Sequence, residues 1–390
     1  MKIERIEIHV TALSERLKRI FSSGVYDTGP EDSINSKPVL VKIHAEGVTG
    51  LGQIRPISPG HFVADTTQSM VAAIREIYGP ALIGRSIFDI EGINAMFDNR
   101  LHGNPAARAV LDIAVRDAMG KALKTPVHNL IGGCCQPRIP LEWSVSMAED
   151  VQTMIAEAKR AVDEFGMKVI CLKMADRRGW KRDVANFAAV RKALGDDIMI
   201  GIDPNAGWTL GDSLLAINEI KPMGLGYIEQ PIERRDLRGM AEIRRAAGGV
   251  PVMADEGVFT IQDAFALAEA RAIDAYCIKL YKIGGITPAK KIAAIAEAAN
   301  IQLNCGGLAV QSQLEAAAGA HFYSSVPLSR MMGAAEFVMG LNAAAKDPLC
   351  PESDFKIVDG HVNVPTGPGL GVTIDEKALK ANTLLHEKVG

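Results

Sequence analysis

Five short hydrophobic segments between residues 168 and 282 each run into a charged side chain. They read KVICLKM, IMIGIDPN, LGYIEQP, PVMADEG and AYCIKLY, and the charged residues are, in order, Lys173, Asp203, Glu229, Asp255 and Lys279. Amphipathic stretches such as VQTMIAEAKRAVDEFG and LRGMAEIRRAAG separate the segments, and several end in Gly or Asn as helix C-caps do. Strands and helices that alternate in this way predict an α/β fold with a parallel sheet, either closed as a barrel or open as a doubly wound sheet.

The three carboxylates are evenly spaced along the chain. The same interval, 26 residues, separates Asp203 from Glu229 and Glu229 from Asp255. This is about the length of one strand, one helix and two loops, so we expect all three at one height at the C-terminal mouth of a (β/α)8-type barrel. Three converging oxygen ligands, with no His or Cys at an equivalent position, indicate a hard divalent cation, Mg²⁺ before Zn²⁺.

The chain is long enough for a second structural unit, because a barrel of this kind takes about 250 residues and the chain has 390. Residues 1–12 alternate like a strand, residues 38–54 predict a hairpin turning near Glu46-Gly47, and ARAVLDIAVRDAMGKAL has a helical repeat. We assign residues 1–133 to an α+β domain and 134–340 to the barrel, which begins with RIPLEWSVSM. Residues 341–390, in which DFKIVDGHVNVPTGPGLGVTID lacks a helical pattern, are expected to return to the N-terminal domain.

Two stretches of the N-terminal domain are candidates for covering the barrel mouth. Ser14 to Asn35 is a long segment with Gly and Pro that also carries Phe21 and Tyr26, and it fits either a lid or a solvated insertion. The second stretch runs from Ile54 to His61. We expect these two loops to bind substrate and to select it.

Composition excludes several classes of partner and location. The formal net charge is −3, with no basic runs, which argues against binding to nucleic acid or to an anionic membrane. No apolar run reaches the length of a membrane span, and the N-terminus lacks a signal-peptide pattern. The six cysteines show no disulfide framework and no metal-site spacing, so we expect a reducing, cytoplasmic location.

The contexts of the charged residues are also distinctive. GIDPNAGW, YIEQP and VMADEG surround the carboxylates, CIKLYKIGG surrounds Lys279, and Lys173 ends the strand before them. In this order and spacing the set resembles the enolase superfamily, in its muconate-lactonizing-enzyme-like subgroup, over nearly the whole chain. The resemblance implies a barrel with an N-terminal capping domain, Mg²⁺ (Mn²⁺ is possible) on the three carboxylates, Lys173 and Lys279 as acid/base groups, a small carboxylate or amino acid substrate, and a homo-oligomer.

Some positions depart from that pattern. The subgroup usually carries Lys-x-Lys where this chain has Cys171-Leu172-Lys173, and relatives often have Glu where Gln53 stands. The seventh strand, IQLNCGG, has no histidine of the mandelate-racemase-like type. No Asp-x-Asp follows the predicted eighth strand, MGAAEFVMG, which speaks against the dipeptide epimerases.

The resemblance also implies a chemistry. A lysine removes the proton next to a substrate carboxylate, and the resulting enediolate requires compensating positive charge. Positive charge from the metal and from the opposite lysine is expected to lower the pKa of the base towards working pH. Two lysines on opposite faces of the substrate permit either reprotonation on the other face, which is epimerisation, or anti elimination of a β-hydroxyl group.

The X-x-Lys strand and the NVPTGPGLGVTID tail resemble hydroxyproline-betaine 2-epimerases and cis-3-hydroxy-L-proline dehydratases. We therefore expect dehydration of cis-3-hydroxy-L-proline or 2-epimerisation of a proline-type amino acid. Alternatives are a muconate-type cycloisomerase, an N-acylamino acid racemase or o-succinylbenzoate-synthase-like activity. A non-catalytic small-molecule binding protein on the same scaffold is an alternative of another class.

Several further residues receive an assignment from their positions. Asn205 and Glu256 adjoin predicted metal ligands and are expected to orient them. Lys282 is expected to be solvated at the surface, and Cys171 and Cys305 are expected to be buried, inert thiols. The three histidines that we expect to be structural or on the surface are His61, His102 and His321.

Overall fold

The computed structural model describes residues 1–22, 24–30, 33–56, 64–307, 311–343, 345–350 and 353–390. Its strands are β1 (Ile3–Thr11), β2 (Lys18–Phe21), β3 (Gly24–Asp27), β4 (Val39–Ala45), β5 (Val48–Ile54), β6 (Arg138–Pro140), β7 (Glu142–Val145), β8 (Val169–Lys173), β9 (Met199–Asp203), β10 (Leu225–Glu229), β11 (Val252–Ala254), β12 (Ala275–Ile278), β13 (Gln302–Cys305), β14 (Ile357–Val358), β15 (His361–Asn363) and β16 (Thr383–Val389). Its α-helices are α1 (Thr67–Ala73), α2 (Gly79–Leu82), α3 (Ile90–Arg100), α4 (Pro105–Ala122), α5 (Val151–Phe165), α6 (Trp180–Leu194), α7 (Leu210–Ile220), α8 (Leu237–Ala247), α9 (Ile261–Glu269), α10 (Leu280–Ile283), α11 (Ile286–Ala299), α12 (Gln313–Ser324) and α13 (Glu376–Asn382). A π-helical turn, Ile74–Tyr78, joins α1 to α2, and short 3₁₀ turns lie at Val127–Leu130, Lys221–Met223, Leu328–Arg330 and Val338–Gly340.

A four-stranded antiparallel sheet organises the N-terminal part, in the order β16–β1–β4–β5. The predicted hairpin is present, because β4 and β5 are joined by Glu46 and Gly47, both at positive φ (44° and 88°), as a type I′ turn requires. Helix α4 packs across β5, and Gly50 and Gly52 allow this close approach. One face of the sheet is thereby buried against the helices.

Seven parallel strands form a second, curved sheet, in the order β13–β12–β11–β10–β9–β8–β7. Their residues are almost all buried, as expected when helices cover a parallel sheet. The register pairs Lys173 with Asp203 and Ile202 with Ile228, so Asp203 and Glu229 lie side by side at the sheet edge. Glu229 pairs with Met253 of β11, so Asp255 lies two residues beyond the position opposite Glu229. Adjacent strands of a curved sheet are staggered in this way.

The predicted eighth strand is not a regular strand. Residues 331–336 make only isolated parallel bridges, of Met331 with Leu303, of Glu336 with Gly306 and of Ala335 with Leu141. The segment thus contacts both edges of the seven-stranded sheet. The structure supports a curved, parallel half-barrel of the expected class, and not eight regular strands.

The C-terminal segment, residues 341–390, contributes strands to two sheets. Strand β15 pairs with β14 and with β6 (Val362 with Ile139). Strand β16, in the same segment, pairs antiparallel with β1 of the N-terminal sheet. The predicted first barrel strand, RIPLEWSVSM, is also divided at Leu141 between β6 and β7. The domain boundaries at residues 133 and 340 stay a prediction.

No helix in the described part of the chain is both long enough and apolar enough to cross a membrane.

Candidate active site

Three carboxylates meet at the C-terminal edge of the parallel sheet. Asp203 and Glu229 end β9 and β10, Asp255 follows β11, and each residue is at most 2% exposed. Potential ligand atoms of Asp203, Glu229 and Cys171 lie within 4.8 Å of one another, as do those of Glu229, Asp255 and Cys277. Burial, together with the charge of Asp203, raises the pKa of Glu229 well above its usual range. The cluster therefore concentrates negative charge that requires a positive partner.

The two predicted lysines supply part of that charge. The Nζ atom of Lys173 donates a hydrogen bond to Oδ2 of Asp203, and Nζ of Lys279 donates one to Oδ2 of Asp255 at 2.7 Å. Burial acts to lower the pKa of both lysines, but the adjacent carboxylates raise it well above the usual range. The pKa of both lysines is therefore shifted upward, whereas the sequence predicts a downward shift. That prediction assumes the positive charge of a bound metal ion.

Lys282 is not at the surface, so that prediction is wrong. The residue is 2% exposed, and its Nζ donates hydrogen bonds to Oδ1 of Asp255 (2.6 Å), to the backbone oxygen of Asp255 and to that of Cys277 (3.1 Å). The short helix α10 begins directly after Lys279 and turns Lys282 back under the sheet edge. Although burial opposes it, the charges of Lys279 and Lys282 lower the pKa of Asp255.

Asn205 and Glu256 lie beside the carboxylates, as expected from their positions. Asn205 adopts a left-handed backbone conformation (φ 46°), and its Nδ2 donates to Oδ2 of Asp203 (2.9 Å) and to Oε1 of Glu256 (3.1 Å). Burial, and next the charge of Asp255, raise the pKa of Glu256 to about 8. Both side chains are thus in position to orient ligands, and that role stays a prediction.

The carboxylate cluster fits a divalent cation. Oε1 of Glu229 is buried without a hydrogen-bond partner among the described residues, and a buried anionic oxygen is costly unless it is paired. Cys171 and Cys277 adjoin these carboxylates, but a hard cation such as Mg²⁺ prefers oxygen ligands to sulfur. An all-oxygen set from Asp203, Glu229 and Asp255 remains, which suits Mg²⁺.

The described residues of the stretch Ser14 to Asn35 include a hairpin of β2 and β3, so this stretch is only partly irregular. The hairpin is attached to the sheet edge: Arg19 donates to the backbone oxygen of Ser144, and Ser22 Oγ donates to that of Asn205 at 3.2 Å. Between the hairpin and the sheet lies a cavity of about 50 Å³. Residues that line it are Leu17, Arg19, Phe21, Tyr26, Ser144, Lys173, Asn205, Lys279, Tyr281, Gly307, Glu336, Val338 and Met339.

Of the second predicted loop, residues 57–61 lie outside the described residues. Ile54 ends β5, and Arg55 is fully buried, where its Nε donates to the backbone oxygen of Ser36 at 2.7 Å. Neither Ile54 nor Arg55 lines the cavity described above.

Sequence reasoning missed Glu336 and Tyr281, which also line the cavity. Glu336 Oε2 lies 3.9 Å from Nζ of Lys279, and Tyr281 follows Lys279 at the start of α10. Glu336 lies in the predicted eighth strand, and this position is the sequence feature that identifies it. The sequence-based prediction for that strand considers only an Asp-x-Asp pattern. A carboxylate at the end of that strand could have been selected by the same rule as the other three.

Cys305, His102 and His321 do not line this cavity. Cys305 is fully buried, and burial raises its pKa to about 12. His102 is exposed, whereas His321 is buried, with Nε2 3.0 Å from the backbone oxygen of Leu370. His61 lies outside the described residues.

Comparison with known proteins relates the whole chain to one group of enzymes. Residues 32–132 match the family described as "Mandelate racemase / muconate lactonizing enzyme, N-terminal domain", and residues 153–378 match "Enolase C-terminal domain-like". The N-succinyl-L-Arg/Lys racemase of Bacillus cereus is 32% identical over 400 residues, covering 100% of both chains. Its crystal structure is similar with a TM-score of 0.89 at 31% identity, again over 100% of both chains.

Two further relatives widen the range of chemistry. A chloromuconate cycloisomerase of Cupriavidus necator is 29% identical over 350 residues, covering 88% of this chain and 91% of the relative. The dipeptide epimerase of Cytophaga hutchinsonii, solved with Mg and the dipeptide D-Ala-L-Val, is similar with a TM-score of 0.87 at 25% identity, over 100% of both chains. Two matched families, a full-length relative at this identity and a carboxylate cluster at the sheet edge agree: the chain belongs to the enolase superfamily of enzymes.

Proposed function

We propose that this enzyme removes the α-proton of a small carboxylate substrate, with a divalent cation bound by Asp203, Glu229 and Asp255. The observation that carries the proposal is that Lys173 and Lys279 line one cavity from β8 and from the end of β12, two strands separated by three others. Lysines that approach from opposite sides can address opposite faces of one substrate carbon. Mg²⁺, or Mn²⁺ in its place, would supply positive charge to the substrate carboxylate and so stabilise the enediolate.

The two lysines divide the proton transfers. The carboxylates favour the protonated form of both lysines, and the charge of a bound cation would oppose this. One lysine, neutral under those conditions, accepts the α-proton as the carbon–hydrogen bond breaks. In epimerisation, the ammonium group of the other lysine returns a proton to the opposite face. In dehydration of a 3-hydroxy substrate, the second lysine protonates the departing hydroxyl group, water leaves, and the enamine product tautomerises to a pyrroline carboxylate.

A proline-type substrate is supported by the walls of the cavity. Phe21 and Tyr26, with ring centroids 5.9 Å apart, offer aromatic surface to a pyrrolidine ring or a quaternary ammonium group. The carboxylate of Glu336 is available to pair with the substrate nitrogen. We therefore propose cis-3-hydroxy-L-proline dehydration or proline-type 2-epimerisation as the activity.

A second candidate is racemisation of an N-succinylamino acid. Its support is the full-length relative from Bacillus cereus and one feature of the cavity, the guanidinium group of Arg19 in its wall. An arginine there could pair with the distal carboxylate of a succinyl group. Muconate cycloisomerisation, known in another relative, would use the same lysines and cation.

The test is proton NMR in D₂O with Mg²⁺ and the stereoisomers of proline, 3- and 4-hydroxyproline, proline betaine and N-succinylarginine. We expect α-deuteration of proline-type compounds and a pyrroline carboxylate product from cis-3-hydroxy-L-proline. Exchange confined to N-succinylarginine would replace the first candidate by the second. No exchange with any compound, alongside turnover of muconate, would overturn both.

Variants test the acid/base assignment. Lys173→Ala and Lys279→Ala should each reduce turnover of at least one enantiomer by about 10²–10⁴-fold, the usual contribution of a positioned acid or base. Lys168→Ala is the matched control, because Lys168 is exposed at the opposite end of the same strand segment as Lys173. Normal turnover of both enantiomers by both active-site variants would refute the assignment.

A further inference from the structure

A second cluster of metal-ligating side chains lies on the N-terminal sheet, away from the carboxylates of the parallel sheet. It consists of Glu7, His9 and His386, whose potential ligand atoms all lie within 4.8 Å of one another. We propose that this Glu–His cluster is a site for a transition-metal cation of the Zn²⁺ class. The inference is independent of the proposed reaction.

The pairing of strands places the three side chains together. Glu7 and His9 are two residues apart on β1, so both point to the same face of the sheet. His386 on β16 is the cross-strand partner of His9. The cluster therefore links the C-terminal strand to the first strand.

The spacing is compatible with metal ligands. Oε2 of Glu7 lies 3.5 Å from Nε2 of His9 and 3.3 Å from Nε2 of His386. Ligand atoms about 2.0–2.1 Å from a tetrahedral Zn²⁺ lie about 3.3 Å apart, which is close to the spacing observed.

The hydrogen bonding of His9 leaves Nε2 as a free acceptor. The Thr383 hydroxyl donates to the backbone oxygen of Leu379 at 2.7 Å, so it accepts from Nδ1–H of His9 at 3.3 Å. Nε2 then carries the lone pair, and it has no hydrogen-bond partner among the described residues although the side chain is only 9% exposed.

Two acceptor atoms therefore face each other at 3.5 Å, the lone pair of His9 and the carboxylate of Glu7. A cation between them removes the repulsion. The other carboxylate oxygen, Oε1, is held by Arg5 at 3.0 Å and lies 3.1 Å from Nε2 of His44. These contacts orient Glu7 and leave Oε2 directed at the two imidazoles, as outer partners of a metal ligand do.

The site is accessible, and one ring must turn to complete it. The His9 and His386 rings are stacked, with centroids 4.2 Å apart and an interplanar angle of 11°, so their lone pairs lie in two nearly parallel planes and one cation cannot lie in both. The His386 side chain is 37% exposed and can rotate about its Cβ–Cγ bond, a soft torsion. Two imidazole nitrogens and one carboxylate oxygen favour Zn²⁺ over Mg²⁺, which prefers oxygen ligands.

Equilibrium dialysis against Zn²⁺, in saturating Mg²⁺ and with the full chain free of any histidine tag, tests the site. Wild type should bind one Zn²⁺ per chain that His386→Gln does not bind, and Zn²⁺ should raise the Tm of wild type but not of that variant. His102→Gln is the matched control, because His102 is an exposed histidine outside the cluster. It should behave as wild type.

A spectroscopic measurement on wild type tests the site without any variant, and it therefore applies even if His386→Gln folds poorly. Co²⁺ added to wild type in saturating Mg²⁺ should give the visible absorption of a tetrahedral site, and Zn²⁺ should abolish it. Equal Zn²⁺ stoichiometry in wild type and His386→Gln, or no tetrahedral Co²⁺ absorption in wild type, would overturn the proposal.

Discussion

At the scale of single residues, Asp255 receives two ammonium groups. Lys279 donates to Oδ2 and Lys282 donates to Oδ1 and to the backbone oxygen, so both carboxylate oxygens are held. Lys282 does not line the cavity, whereas Lys279 does. The structure thus separates a lysine that lines the cavity from one that holds Asp255 without lining it.

Replacing Lys282 by methionine should destabilise the fold. Three backbone and side-chain acceptors would lose their donor in a buried setting, and breaking such a pair costs about 3 kcal/mol or more. The measurement is urea-induced unfolding followed by circular dichroism. Lys291→Met is the matched control, because Lys291 pairs with Glu91 at 2.7 Å with both side chains exposed, and such pairs contribute less than about 1 kcal/mol. Equal losses of stability in the two variants would contradict this role for Lys282.

At the scale of secondary-structure elements, β5 and α4 are joined by a close backbone approach. A Cβ atom at Gly50 would overlap the backbone oxygen of Ala114 and come within 2.7 Å of the Ala118 side chain. Small residues are therefore required on both elements at this contact. Helix α4 also carries Asp117, whose Oδ2 accepts from the backbone N–H of Leu51 at 2.7 Å.

Gly50→Ala should lower the free energy of unfolding by about 3 kcal/mol, at the upper end of the cost of overpacking, since backbone atoms must move. Gly211→Ala is the control within a helix, α7, where an added Cβ meets only the Thr209 hydroxyl at 3.9 Å. That change should stabilise the protein by up to about 1 kcal/mol. Denaturant midpoints of the two variants measure the contrast, and a neutral Gly50→Ala would refute the proposed contact.

The hairpin of β2 and β3 is the element that encloses the cavity. Arg19, Phe21 and Tyr26 all come from it, and the backbone N–H of Met147 donates to the oxygen of Ile20 at 3.1 Å. Substrate selection is therefore expected to depend on a strand pair and not on an irregular lid.

At the scale of the whole molecule, the carboxylate cluster should couple cation binding to stability. Burial, and next the charge of Asp203, raise the pKa of Glu229, so the ionised cluster opposes folding until positive charge is bound. A ligand at 100 times its Kd stabilises the folded state by about 2.7 kcal/mol. Mg²⁺ should therefore raise the Tm of wild type in a concentration-dependent manner.

Glu229→Gln should abolish the increase in Tm that Mg²⁺ gives in wild type. Loss of the central negative charge relieves repulsion, so the variant should have a higher Tm than wild type in excess chelator, while Mg²⁺ should no longer raise it and activity should be lost. Thermal unfolding with chelator and with Mg²⁺ measures both effects. Glu219→Gln, on the exposed face of α7, should match wild type throughout. A variant Glu229→Gln that is still stabilised by Mg²⁺ would show that the cation binds elsewhere.

The hydrophobic pattern was sufficient for the parallel strands and for the positions of their charged ends. Strands β8 to β12 fall within the predicted segments, and helices such as α5 and α8 end where Gly166 and Gly248 adopt the left-handed conformation. Local patterns carry this information because strand alternation, helical periodicity and C-capping depend on neighbours in sequence. The motifs around the carboxylates were likewise sufficient to identify the superfamily.

Other features depended on contacts between distant parts of the chain. Lys282 is buried because it lies in the four-residue helix α10. The position of this helix depends on its packing at the sheet edge. The meeting of His9 with His386 requires β16 to join β1, a pairing across nearly the whole length of the chain. The irregular eighth segment and the Glu336 carboxylate at the cavity depend on how residues 331–336 bridge two strands. Long-range pairing is decided by the total burial of the folded chain, which no local pattern encodes, and the tertiary structure alone therefore determined these features.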